Sequence, residues 1–164
     1  MSRAGSPVSV TDRQTRLPID SGAIESLVHF TLSSEEAHGA VEVAFVDDET
    51  IADLHLRFMD IPGPTDVITF PLADDEPEAE AEAEAEAGAG SLERSLGEVV
   101  VSTDTACRQG PEYGLDPLDE ALLYVVHGVL HLLGYDDRTE PDADRMASRQ
   151  REIFDQWRDA HPAD

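Results

Sequence analysis

His127-Gly128-Val129-Leu130-His131-Leu132-Leu133-Gly134-Tyr135-Asp136-Asp137 is the stretch around which the rest of the chain is arranged. Histidines at i and i+4 lie one above the other on a helix face, so both imidazoles can reach a single metal ion. Gly134 follows the apolar run where a helix needs a residue at positive φ in order to stop. The turn it makes carries Asp136 and Asp137 back toward the histidine face. The pattern is His-x3-His-x2-Gly-x2-Asp, with His127, His131 and Asp137 as candidate ligands of one ion. Two nitrogens and one carboxylate, with a fourth position for water, suit a catalytic Zn2+. The flanking residues, Ala121 to Val126 and then Leu130, Leu132 and Leu133, are apolar nearly all round. A helix of that kind is buried, and buried imidazoles cost free energy unless they are hydrogen-bonded or liganded.

Upstream of the histidines, Asp116-Pro117-Leu118-Asp119-Glu120 supplies a capping residue, proline at the first helical position and acids in the first turn. Downstream, Thr139-Glu140-Pro141 opens a last helix with Met146, Ile153 and Trp157 on one face and Phe154 beside it. The chain before the motif alternates strand and helix. Val8-Ser9-Val10 is a short strand, and Ile24, Leu27, Val28 and Thr31 fall at helical spacing behind an N-cap at Asp20 or Ser21. Ala40 to Val46 alternates with period two and reads as a strand. Asp47 and Asp48 cap a helix with Ile51, Leu54 and Phe58 on one side, ended by Met59-Asp60-Ile61-Pro62-Gly63-Pro64. Thr65 to Pro71 and Leu96 to Val101 are strands, and Ser102-Thr103-Asp104 offers caps for a short helix through Arg108, ended by Gly110-Pro111.

The order is β-α-β-α-β-(linker)-β-α-α-α. It predicts an α+β single domain spanning 1–164, with a small four-stranded mixed sheet, about five helices and the zinc site on a late core helix. The linker is the Glu/Ala alternation at about 74–90. Its acids repeat at i, i+4 and it holds no apolar residue larger than alanine, so it is expected to be disordered.

Composition narrows the function. The 164 residues carry a net charge of -25 and a single cysteine, Cys107. An acidic surface repels phosphate backbones, although the linker supplies much of the charge. One cysteine forms no internal disulfide and fits a reducing compartment, hence cytoplasm. The start has no apolar signal region, and the longest apolar run, Ala121 to Tyr135, is too short for a membrane span and contains both histidines.

Three stretches together resemble the YbeY family of bacterial metal-dependent hydrolases. The family signature, His-Gly-x-Leu-His-Leu-x-Gly-Tyr-Asp-His, stands here as His127 to Asp137 with its last residue changed. Pro64-Thr65-Asp66-Val67-Ile68-Thr69-Phe70-Pro71 is similar to the family's Pro-Thr-Asp-Val-Leu-Ser-Phe-Pro, and Leu96-Gly97-Glu98-Val99 to its Leu-Gly-Asp-Ile strand. The resemblance implies a zinc-dependent single-strand-specific endoribonuclease acting in 16S ribosomal RNA 3′-end maturation and ribosome quality control. The implied partners are ribosomal RNA, the small ribosomal subunit and its proteins, with no membrane and no DNA. Two positions depart from the family. Asp137 replaces its third histidine and Met59 replaces an arginine, leaving Arg57 as the nearby cation, one that points elsewhere on the helix.

Asp136 is a candidate general base by proximity, or equally a turn residue bonding to backbone. A metalloprotease shares the histidine spacing but needs glutamate after the first histidine, where Gly128 stands. A noncatalytic zinc-containing ribosome biogenesis factor is the remaining alternative.

Overall fold

The computed structural model describes residues 7–72 and 94–162. The Glu/Ala tract lies outside the described residues, and with it the expectation of disorder there. The elements follow the expected order. They are β1 (Val8–Asp12), α1 (Ser21–Ser34), β2 (Ala40–Val46), α2 (Asp48–Met59), β3 (Val67–Pro71), β4 (Ser95–Ser102), α3 (Thr103–Gln109), a 3-10 turn (Pro111–Tyr113), α4 (Pro117–Leu132) and α5 (Glu140–Ala160).

Side-chain caps start four of the helices. Asp20 accepts from the Gly22 amide at 3.0 Å, Asp47 from Thr50 at 2.9 Å, Ser102 from Thr105 at 3.1 Å and Thr139 from Asp142 at 3.2 Å. Each satisfies one of the orphan N–H groups at a helix start. Asp116 holds the cap position of α4 without such a bond, and Pro117, which has no N–H to satisfy, begins that helix instead.

The strands form one sheet in the order β1-β2-β4-β3. β1, β2 and β4 run parallel, while β3 lies antiparallel on the edge beside β4, with Val67 opposite Val101 and Pro71 opposite Gly97. Period-two alternation gives the sheet two apolar faces. Val41, Val43, Phe45, Val99 and Val101 pack in one core with Leu27 and Val28 of α1, Val125 and Val129 of α4, and Ile153 and Trp157 of α5. Val46, Ile68 and Val100 meet Ile51 of α2 in a smaller core on the other face.

α4 touches α1, α3, α5, β3 and β4. That explains why its sequence is apolar almost all round. It crosses the sheet closely: a Cβ on Gly128 would stand 2.5 Å from Val99 Cγ1, so glycine is required there by space. Among the described residues no helix is long and apolar enough to cross a membrane.

Candidate metal centre

The site is built at the C-terminal end of α4. Leu133 caps the helix and Gly134 follows at φ 105. The Gly134 amide donates to the His131 carbonyl and the Tyr135 amide to the Leu130 carbonyl, each at 3.0 Å. This pair of bonds is the Schellman arrangement, which satisfies the last carbonyls and reverses the chain. A Cβ on Gly134 would meet nothing within 4 Å, so this glycine serves its dihedral angle and not a close approach.

The reversal brings Asp137 over the histidines. Its Oδ2 lies 3.4 Å from His131 Nε2 and 3.9 Å from His127 Nε2. One ligand atom from each of His127, His131 and Asp137 falls within 4.8 Å of the other two, so the trio could hold a metal ion. Two donors bound tetrahedrally at ~2.1 Å from one ion stand about 3.4 Å apart. The Asp137–His131 separation matches that spacing, and the Asp137–His127 separation is 0.5 Å wider, so the three donors would draw together slightly around an ion.

The other ring nitrogens decide which lone pairs are free. His131 Nδ1 lies 3.1 Å from the Tyr135 carbonyl oxygen, which can only accept, so Nδ1 carries the proton. His127 Nδ1 is 2.8 Å from Gln150 Oε1 of α5, which assigns the same tautomer. Both Nε2 lone pairs are thereby left facing the Asp137 carboxylate, as metal-ligating histidines require. The rings meet edge to face, with centroids 4.7 Å apart.

The other candidates lie elsewhere. Asp136 Oδ1 accepts from the backbone N–H and Nε of Arg138, both at 3.2 Å, and stays outside the trio. Arg57 is on α2, across the sheet from α4, paired with Asp53 at 3.3 Å and lying over the Phe58 ring. Met59 is the last residue of α2 and 43% exposed.

Sequence reasoning missed Gln150 and the Tyr135 carbonyl. It also read Glu120 as an ordinary first-turn acid. Glu120, Tyr124, His127 and His131 form one stripe along α4, and Glu120 is buried. Burial pushes its carboxyl above the usual range, helped by the nearby Asp66. Burial also raises the Tyr124 hydroxyl, which stands beside Glu120 and donates to Gln109 Oε1 at 2.9 Å. The signal for Gln150 was present in the last helix: it is the polar member of the stripe Met146, Gln150, Ile153, Trp157.

A family model described as Endoribonuclease YbeY matches residues 9–158. The chain belongs to the YbeY family. Curated YbeY relatives include Endoribonuclease YbeY of Thermobifida fusca, 39% identical over 148 residues that cover 88% of this chain and 90% of the relative. Another is Endoribonuclease YbeY of Mycolicibacterium gilvum, 35% identical over 147 residues, covering 88% and 79% respectively. The solution structure of TM1509 from Thermotoga maritima matches with a TM-score of 0.57 at 22% identity, over 94% of this chain and 93% of that one. That likeness bears on the fold, and the α+β architecture holds across it.

Proposed function

We propose that this chain is a zinc-dependent, single-strand-specific endoribonuclease acting in 16S ribosomal RNA 3′-end maturation and ribosome quality control. In this reading it works in the cytoplasm, with ribosomal RNA, the small ribosomal subunit and its proteins as partners. The observation that carries the reading is the convergence of two imidazole Nε2 atoms and a carboxylate, in a chain of a family whose curated relatives are named endoribonucleases.

His127 and His131 would hold the ion through Nε2 and Asp137 through its carboxylate. Bound zinc polarises a phosphoryl oxygen or brings the pKa of a coordinated water toward neutrality. The protein's own part is orientation. Gln150 and the Tyr135 carbonyl fix the two imidazole planes, and the Gly134 turn delivers Asp137. Asp136, engaged by Arg138, holds the turn in this reading and moves no proton. A protease mechanism has no room here, because the position that would carry its glutamate is Gly128, pressed against Val99.

One observation favours the noncatalytic alternative: the family's arginine position holds Met59, and Arg57 is engaged with Asp53. Cleavage decides between the two. Zinc-loaded protein is incubated with end-labelled single-stranded RNA and with the matching duplex. The single strand is expected to be cut, the duplex spared, and His127→Ala inactive. Intact RNA at full zinc occupancy would select the biogenesis factor without nuclease activity.

A further inference from the structure

Helix α5 buries a stripe made of Met146, Ile153 and Trp157, exposed by 1%, 0% and 2%. Gln150 stands in that stripe at helical spacing, where an apolar side chain would pack without a hydrogen-bonding requirement. Its Oε1 is 2.8 Å from His127 Nδ1. The adjacent Arg149 reaches a different partner: its Nε donates to Glu35 Oε2 at 2.6 Å and its Nη2 to the Ser34 carbonyl at 3.0 Å. The other oxygen of Glu35 accepts from the Tyr135 hydroxyl at 3.0 Å. Tyr135 in turn presents its carbonyl to His131 Nδ1 at 3.1 Å. Two consecutive residues of α5 thus lead to the two histidines of α4 by separate routes.

We propose that Arg149 and Gln150 are the positioning residues of the metal centre. Gln150 sets the tautomer and ring plane of His127 directly, and Arg149 sets His131 through Glu35 and the Gly134 turn. The inference rests on the metal reading above and adds how this chain prepares the site. A glutamine can present either its oxygen or its NH2 group to a ring nitrogen. Oxygen toward Nδ1 puts the proton there and leaves Nε2 open to the ion. Nitrogen toward Nδ1 would put the proton on Nε2, pointing at Asp137, and His127 could not bind. The end of the Gln150 amide that faces the ring is therefore a condition for a three-ligand site. The Arg149 route works on geometry alone, since the Tyr135 carbonyl cannot donate and the tautomer of His131 is fixed by the backbone.

The test compares wild type, Gln150→Met, Gln150→Glu, Arg149→Met and His127→Ala as full-length proteins. Zinc affinity is read by competition with a chromogenic chelator. The histidine tautomers of the metal-free proteins are read by long-range 1H–15N NMR, and their unfolding by heat. Methionine keeps the volume of Gln150 and suits the apolar stripe, so metal-free Gln150→Met should melt at or above wild type. Its zinc affinity should nevertheless fall about 10–100-fold, the usual loss for an outer partner of a ligating histidine, and the Nδ1–H form of His127 should cease to dominate. Glutamate accepts only, so Gln150→Glu should keep that tautomer and bind zinc at least as tightly as wild type. Arg149→Met should weaken zinc by about tenfold while leaving the His127 tautomer untouched. Wild-type zinc affinity and tautomer in Gln150→Met would overturn the proposal and make Gln150 a packing residue, with the metal centre intact. If wild type and His127→Ala take up equally little zinc, the metal reading is what fails. The tautomer measurement on metal-free protein still decides whether Gln150 orients His127.

Discussion

Asp137 stands where the family signature has histidine, and its position in space makes the exchange testable. Its carboxylate is 3.4 Å from His131 Nε2 at the end of a turn, where either donor can arrive on the same face. Asp137→His should retain zinc, and Asp137→Ala, left with two ligands, should lose orders of magnitude in affinity. A competitive zinc titration checks this, and equal affinity of wild type and Asp137→Ala would remove the carboxylate from the site. Glu120 gives a prediction of a different kind. Its carboxyl is raised by burial, so the folded chain holds that proton more tightly than the unfolded one. The stability contributed by the protonated form is complete below the ordinary glutamate pKa and is lost as pH rises through the raised folded value. At neutral pH the buried charge is a net cost. Glu120→Gln should therefore melt above wild type at pH 7.5, and the gap should close as pH falls to about 4. A constant gap at all pH values would show that the two differ in packing and not in charge.

The elements follow from local signals, and α4 shows how far those signals reach. Its end is set by Gly134 at φ 105, a conformation strained for any L side chain. Gly134→Ala should cost about 1–2 kcal/mol, lowering Tm by a few degrees, and should weaken zinc binding as Asp137 is displaced. Unchanged zinc affinity in a destabilised variant would separate the turn from the site. Element type and order were legible because each rests on spacing within one segment: alternation for β2 and β4, caps for α1 and α2, the i, i+4 pair for the histidines. Strand order was not. Placing β3 antiparallel at the edge, outside β4, depends on Val67 meeting Val101, and no residue pattern within either strand states that pairing. Gln150 and Glu120 escaped for the same reason. The first matters because α5 packs on α4 in one register, and the second because packing around α4 buries it, with Asp66, just before β3, adding a nearby like charge.

At the scale of the whole molecule, charge and connectivity meet in the Glu/Ala tract. It joins β3 to β4, which are antiparallel neighbours, and the pairing continues one residue past the end of β3, with the Leu72 amide 3.0 Å from the Leu96 carbonyl. A hairpin connection of a few residues satisfies that geometry. Deleting Asp75 to Gly90 leaves 73–74 and 91–94 as a six-residue connection between Leu72 and β4. Shorter closure favours the folded state by about 1 kcal/mol, so Tm should hold or rise slightly and zinc content should not change. The same deletion removes seven acidic side chains from a chain of net charge -25. Its effect on RNA should depend on salt. The cations on the folded surface are largely engaged, Arg57 with Asp53 and Arg108 with Asp48, so the intact chain should bind free RNA weakly and depend on a ribosomal partner for delivery. Removing the acids should tighten binding to single-stranded RNA at 50 mM salt and make no difference at 500 mM, where a Debye length of about 4 Å screens the tract. Fluorescence anisotropy with a labelled single strand at both salts reads this directly. Nanomolar, salt-insensitive binding by the intact chain would contradict the charge argument, and a large loss of Tm or zinc on deletion would make the tract a working part of the domain.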